Sequence, residues 1–504
     1  VLSSWAVTAA NIGYVFLVTP IVVRTLGQEG YGVWSFLNGL LGYTNLLFLG
    51  VGSALVRYVA AFSATGDQPS INRLTSVATT IFAAIGLSAV VVFAGLSLVV
   101  EDLFADGLTM VSSSAAAWTC AMLGVQVFCF FLATSFNATL VGRDRYDLAN
   151  LSRIVSVVLR FVLVTLALSG DRPLIRLAVL TTIASFIDVV VVMRLAHRLD
   201  PHLSVRVARP RLDELRLLYG FGAPAFVIVL SSRLISYTDT TVIGMMLGAS
   251  DVALYAVPLQ LVEYAQLAFG AYAGVLLSRL SVLNTLGAIE EMRAAYGTAL
   301  RITALLAAFV LTNLLWAGPA FVDLWLGPSY GAASRWVLVW LVAAAFLHVF
   351  TTAVAMPFYH ALKLLARPAQ VLLIEALLNL VLSVLLVRRL GISGVALATF
   401  LPACVSAVIL PRILARSLTV SAGTNVLRAA VPALALALAV SVVHAALGGF
   451  ALHSYSSIAI RIVATVPAAA AVSVVVAGRE DRNAVRRRAS RLMDALRNRG
   501  RGGR

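Results

Sequence analysis

Apolar runs of about twenty residues, broken by short polar stretches, recur along the whole chain. In lipid a helix satisfies its own backbone, so each run predicts a membrane-spanning helix. Fourteen runs are read, at roughly 4–23, 33–60, 74–100, 112–140, 151–169, 173–193, 217–246, 252–277, 298–318, 335–358, 369–388, 392–411, 425–447 and 457–477. The first run, of spanning length and without a small-residue cleavage site, is expected to be the first membrane helix rather than a leader. Between the first two runs lies the short polar stretch VRTLGQEGYGVW, Val23 to Trp34. It predicts a tight turn, with Gly27, Gly30 and Gly32 permitting the reversal and Tyr31 and Trp34 in the headgroup belt.

Composition agrees with a membrane class. The chain is 61% hydrophobic and 12% charged over 504 residues, whereas soluble domains carry roughly 25% charged residues. Charge fixes an orientation. With the N-terminus in the cytoplasm, inner loops and the C-tail hold most of the 38 Lys and Arg. Only Arg24, Arg172, Arg176, Arg335, Arg388, Arg389 and Arg461 fall on the outer side, as the positive-inside rule requires. The pair Arg388–Arg389 is a local violation, so the eleventh and twelfth spans are the least regular part of the pattern. The C-terminus is also expected in the cytoplasm. Its tail, 479–504, carries ten arginines against Glu480, Asp481 and Asp494, and is read as a topology anchor or a contact for anionic lipid or a cytoplasmic partner. Because positive charge is spread along one membrane side, nucleic acid is not an expected partner. Cys120, Cys129 and Cys404 sit in apolar runs and have no metal-ligand spacing.

A weak internal repeat divides the spans. Shifted by 221 positions, LGQEGYGVW falls on LGASDVALY, so that Gly27 meets Gly248, Trp34 meets Tyr255 and Tyr43 meets Tyr264. The repeat predicts an all-α polytopic membrane protein with two six-helix lobes, 1–200 and 201–416. Two further spans follow at 417–478, then the basic tail at 479–504. Six is even, so the lobes should share orientation and relate by a pseudo-two-fold along the membrane normal.

Polar side chains inside spans mark the candidate site. A charge at the bilayer centre costs about 2.5–3.5 kcal/mol even on the lenient insertion scale, so such groups face a cavity or each other. Span seven contains SSRLISYTDTT, Ser231 to Thr241, with Arg233, Tyr237 and Asp239. Span eight carries Glu263, span one Asn11 and Tyr14, and span two Asn38, Gly42 and Asn45 at i, i+4 and i+7. These point to a central cavity lined by spans one, two, seven and eight, basic at Arg233 and near Arg24 and Arg57. Arg233 is read either as a phosphate clamp, by its planar fork of donors, or as the partner of Asp239 or Glu263. Arg24 and Arg57 are candidate ligands that could instead snorkel. Asp239 and Glu263 are candidates to carry a coupling proton or cation. Arg160, Asp188 and Glu375 are read as structural pairs.

The stretch TPIVVRTLGQEGYGVWSFLNGLLGYTNLLFLGVGSALVRYVA, Thr19 to Ala60, resembles the N-terminal signature of the polysaccharide-type flippases. These belong to the multidrug, oligosaccharidyl-lipid and polysaccharide exporter superfamily. The matching features are a Pro ending the first helix, then VRTLGQEGYGVW, a Tyr about nine residues on, and LGVGSALVRYVA. The resemblance implies a carrier of a polyprenyl-pyrophosphate-linked oligosaccharide, such as an O-antigen precursor, from the inner to the outer leaflet of the cell membrane. It implies membrane lipid and other polysaccharide-assembly proteins as partners. It places Arg24 and Arg57 in the substrate cavity, since both lie in the signature; Tyr237 and Asn45 are candidates from the polar faces alone. An acid at Glu263 departs from a purely cationic cavity.

Rival classes are weaker. A drug or cation exporter of the same superfamily should carry acids in the middle of its first four spans, and this chain has none there. A membrane polymerase or transferase should have a sizeable external loop, and the loops are short. No P-loop and no H-E-x-x-H pattern occurs, so neither a nucleotide, a cofactor nor a catalytic metal is expected.

Overall fold

The computed structural model describes residues 2–44, 50–104, 107–167, 170–219, 223–448 and 454–476. Within them the chain is helical: α1 (Leu2–Thr44), α2 (Val51–Thr65), α3 (Gln68–Ser97), α4 (Ser113–Gly142), α5 (Tyr146–Ala167), α6 (Pro173–Leu199), α7 (Leu212–Tyr219), α8 (Ala223–Met246), α9 (Ala249–Thr285), α10 (Ile289–Leu326), α11 (Pro328–His348), α12 (Ala355–Ala361), α13 (Ala366–Leu418), α14 (Ala422–Ala446) and α15 (Tyr455–Val476). Among the described residues, twelve helical stretches are long and apolar enough to cross a membrane. The protein is a multi-pass membrane protein. The basic tail lies outside the described residues.

Two of the long helices bend where the predicted spans divide. α1 passes through Gly27 at φ 69°, ψ −179°, and α13 through Gly391 at φ 58°, ψ −145°. Both lie in a region open to glycine and strained for other residues. Spans one and two therefore divide at Gly27, and spans eleven and twelve at Gly391, directly after the exposed Arg388 and Arg389. Gly248, the repeat partner of Gly27, also has positive φ, 112°.

Several expectations are corrected. Pro20 does not end the first helix; it sits inside α1. The run 33–60 is not one helix, because α1 ends at Thr44 and α2 begins after Gly50, whose φ is 78°. Gly32 is not needed for a turn. A Cβ there would stand 1.7 Å from the carbonyl oxygen of Ala249, so this glycine lets two backbones touch. Tyr31 is buried rather than at a membrane surface.

The contacts divide the chain into two compact units. One holds 1–260, 336–341 and 364–406; the other holds 261–335, 342–363 and 407–504. In the first, α4 packs on α2, α3 and α6, α5 packs on α6, and α1 packs on both α5 and α8. In the second, α10, α14 and α15 pack on one another. They share a buried polar knot: Asn313 Oδ1 accepts from His444 Nε2 at 3.0 Å and from the Thr465 hydroxyl at 3.3 Å.

Glu29, in the polar stretch after the break, ties α1 to the segment before α4. Its carboxylate accepts from the backbone N–H groups of Thr109 (2.9 Å), Met110 (3.0 Å) and Val111 (2.9 Å) and from the Thr109 hydroxyl (2.6 Å). Glu29→Ala should speed hydrogen exchange of these amides by about tenfold or more, the size expected from losing hydrogen bonds to a charged acceptor. Unchanged exchange by mass spectrometry would show that the tie adds nothing to local stability.

Candidate functional site

The seam between α1 and α8 is closely packed. Gly42 is the reason at its centre: a Cβ there would lie 2.2 Å from the ring of Tyr237. The ring instead lies flush on α1 and meets Tyr43 edge-on, with centroids 5.8 Å apart. The Tyr43 hydroxyl lies 3.3 Å from that of Thr238. Close approach through glycine is a general device for helices in lipid. Tyr237, Asn38, Gly42, Thr44, Gln126 and Arg160 line a cavity of about 260 Å³ beside this seam.

Arg233 lies one turn before Tyr237 on α8 and is half-buried. Its Nη1 donates to the Tyr237 hydroxyl at 3.4 Å, and its guanidinium carbon lies 6.0 Å from the Tyr237 ring centroid. The ion pairs among the described residues include Arg73–Glu214, Arg143–Asp200, Arg145–Asp147 and Arg293–Glu290. Arg233 is in none of them. The expected alternative of an Arg233–Asp239 pair is not realised, because the two side chains leave α8 on different faces.

Asp239 turns into the helix interior, where it is 2% exposed. Its Oδ2 accepts from the Tyr255 hydroxyl at 2.5 Å and the Thr399 hydroxyl at 2.8 Å. Its Oδ1 accepts from Asn379 Nδ2 and the Ser383 hydroxyl, both at 3.4 Å. Asn379 and Ser383 precede the Gly391 break in α13 and Thr399 follows it, so both halves of the kinked helix contribute. The Asn379 carbonyl oxygen is buried without a hydrogen-bond partner. Three hydroxyls and one amide N–H thus converge on a single buried carboxylate, an ionisable group inside the membrane helices of the kind that is functional by default.

The other candidates are dispersed. Arg57 is exposed on α2 and lines a pocket of about 380 Å³ with Arg216 and Asp213. Its guanidinium lies 5.7 Å from the ring centroid of Tyr58. Arg24 is exposed on α1 and lines none of these pockets. Glu263 is exposed on α9. Asn45 lies outside the described residues.

The largest of these cavities, about 700 Å³, is lined by α1, α2, α4, α5 and α6. It takes Asn11 and Tyr14 from span one together with Asn137, Arg153, Arg160 and Asp188, and none of its described lining comes from spans seven or eight, which were expected to share a cavity with span one. Arg160 and Asp188, read from the sequence as members of structural pairs, are in none of the ion pairs named above. Their position inside spans was the available signal, since an intramembrane charge is functional by default.

The family described as polysaccharide biosynthesis protein matches residues 1–283, more than half of the chain. The chain belongs to that family. A putative O-antigen transporter of Shigella flexneri is 22% identical over 393 residues, 75% of this chain and 88% of that protein. Among solved structures, the lipid II flippase MurJ in an inward closed conformation superposes with a TM-score of 0.73 at 14% identity, covering 93% of this chain and 98% of the other. An inward-facing multidrug resistance MATE family transporter of the MOP superfamily superposes with a TM-score of 0.69 at 15% identity, covering 81% and 94%. At such identities the two superpositions concern the fold. Within the polysaccharide biosynthesis protein family, this member therefore shares the fold seen in the MurJ and MATE structures.

Proposed function

We propose that the protein flips a polyprenyl-pyrophosphate-linked oligosaccharide from the inner to the outer leaflet of the cell membrane, for cell-surface polysaccharide synthesis, by alternating access. The observation that carries this reading is a set of cavities among apolar helices whose walls mix apolar surface with amides, hydroxyls and the arginines Arg57, Arg153 and Arg160. Flipping a charged glycolipid needs a wet compartment for the sugar and cationic groups for the pyrophosphate. Counting α1 and α13 twice each gives fourteen crossings from the twelve spanning stretches; an even number keeps both termini on one side, and the positive-inside rule favours the cytoplasm. Residues 1–200 and 201–416 form the two lobes, and 417–478 two added helices.

Arg233 is the pyrophosphate clamp in this reading, with Tyr237 orienting its guanidinium. Arg57 and Arg24 are outer members of the same basic path, and Asn45 is a further substrate-binding candidate. Asp239 carries the coupling proton or cation. Glu263 is the second coupling candidate and lacks a comparable enclosure, being exposed. The protein acts as a transporter and not an enzyme, on a lipid-linked oligosaccharide, alongside other polysaccharide-assembly proteins. A drug or cation exporter is favoured by the MATE-type fold alone and disfavoured by the arginines.

The test is translocation of a fluorescent lipid-linked oligosaccharide in proteoliposomes, at matched protein levels. Arg233→Ala should lower the rate by about tenfold or more, as loss of a charge-assisted bond implies. Arg233→Lys should restore only part of it, since Lys lacks the bidentate fork. Native rates in both variants remove Arg233 from the site. A native protein that moves no such lipid, yet exports organic cations, overturns the flippase reading.

A further inference from the structure

The 700 Å³ cavity in the first unit has its own chemistry. Its volume lies in the range of roughly 300–1,000 Å³ typical of small-molecule sites. Arg153, Ser156 and Arg160 project from α5 at i, i+3 and i+7, one face of a helix, and all three line it. Arg160 Nη2 donates weakly to the Ser185 hydroxyl, at 3.4 Å. Arg160 Nε and Ser156 Oγ are buried and have no hydrogen-bond partner. Asp188 on α6 lines the same cavity without pairing to Arg160. Two guanidiniums against one carboxylate leave the lining net positive. Asn11 and Asn137 add amides, while Phe130 and Val56 add apolar surface.

Amides and hydroxyls beside apolar patches suit a sugar, which has hydroxyl edges and C–H faces. A net positive lining with unsatisfied donors suits an anion and repels a cation. We propose that this cavity is the glycan compartment and that Arg160 binds an anionic oxygen group there, the carboxylate of an acidic sugar. Asp188 opposes additional negative charge and accepts from sugar hydroxyls. This assignment rests on the flippase reading and deepens it: the substrate class is a lipid-linked oligosaccharide carrying an acidic residue. Arg160 also borders the smaller cavity beside Tyr237, so it stands where the two compartments meet.

Two lipid-linked oligosaccharides serve as probes, identical except that the uronate carboxyl of one is reduced to the alcohol. Both keep the same pyrophosphate. In proteoliposomes the native protein should move the acidic form faster. Arg160→Gln should lower the rate for the acidic form about tenfold, the size of a charge-assisted hydrogen bond, and change the neutral form little. Asp188→Asn should have the opposite sign and speed the acidic form relative to the neutral one. A merely unstable variant would slow both probes alike and could not produce that gain. Equal loss on both probes in folded Arg160→Gln, with Arg160→Lys rescuing both, would assign Arg160 to the pyrophosphate and overturn the glycan assignment. No loss on either probe removes Arg160 from the substrate path. If the native protein moves neither probe, the flippase reading itself fails.

Discussion

Asp239→Asn should give a folded protein that has lost coupled transport. Asn keeps the shape of the carboxylate and one carbonyl acceptor, so the Tyr255 and Thr399 hydroxyls can still be met in part. It removes the negative charge that would hold a proton or cation in the cage. Transport driven by an imposed ion gradient should fall to the level of protein-free vesicles, while downhill exchange persists at a reduced rate. Asp239→Ala should do more. It removes the shared acceptor of the Tyr255, Thr399, Ser383 and Asn379 donors, at a cost of about 1–3 kcal/mol for each buried group left without another partner. The measurement is flipping under separately imposed pH and monovalent-cation gradients, with thermal unfolding in parallel. Gradient-driven transport at native rate in Asp239→Asn would show that the cage is structural and that coupling lies elsewhere.

The second large effect is expected at Gly32. A Cβ placed there meets the Ala249 carbonyl oxygen at 1.7 Å and its carbon at 2.5 Å. These are backbone atoms, so no side chain can swing away. The start of α9 must move from α1, and the nearby bond from Gln28 Nε2 to the Ser250 carbonyl, 3.3 Å, should break with it. Overpacking of this kind costs about 1–3 kcal/mol. Gly32→Ala should therefore lower the unfolding temperature and slow transport by about tenfold, if the seam closes in each cycle at that cost. Gly13→Ala in the same helix is the control, because nothing lies within 4 Å of the added carbon. Equal behaviour of the two variants would show that the contact yields without cost.

The site was legible in its residue types and only partly in its grouping. Arg233 and Tyr237 do lie together, one turn apart on α8. Asn38, Gly42 and Tyr237 do line one cavity. Asp239 could not be separated from Arg233 on the sequence, since an interior acid and an interior base one and a half turns apart make a plausible pair. Its true partners come from α9 and from both halves of α13, and the sequence distance from Asp239 to Thr399 is 160 residues. Arg160 and Asp188 pose the same difficulty. Opposite charges on neighbouring helices suggest a bond, yet rotation about each helix axis decides whether the side chains meet.

Taken alone, the sequence determined the class of protein, the position of nearly every helix and the residues whose polarity needs an explanation. Those properties are local. A backbone in lipid must bond to itself within each run, and a glycine such as Gly27 frees the chain to bend wherever it stands. The tertiary structure decided which polar groups are enclosed, which face a cavity and which are paired. It put Gly32 against Ala249, Gly42 under Tyr237 and Asp239 among four donors. Those outcomes depend on the rotation and depth at which helices distant in sequence settle against each other, and no run of residues encodes that by itself.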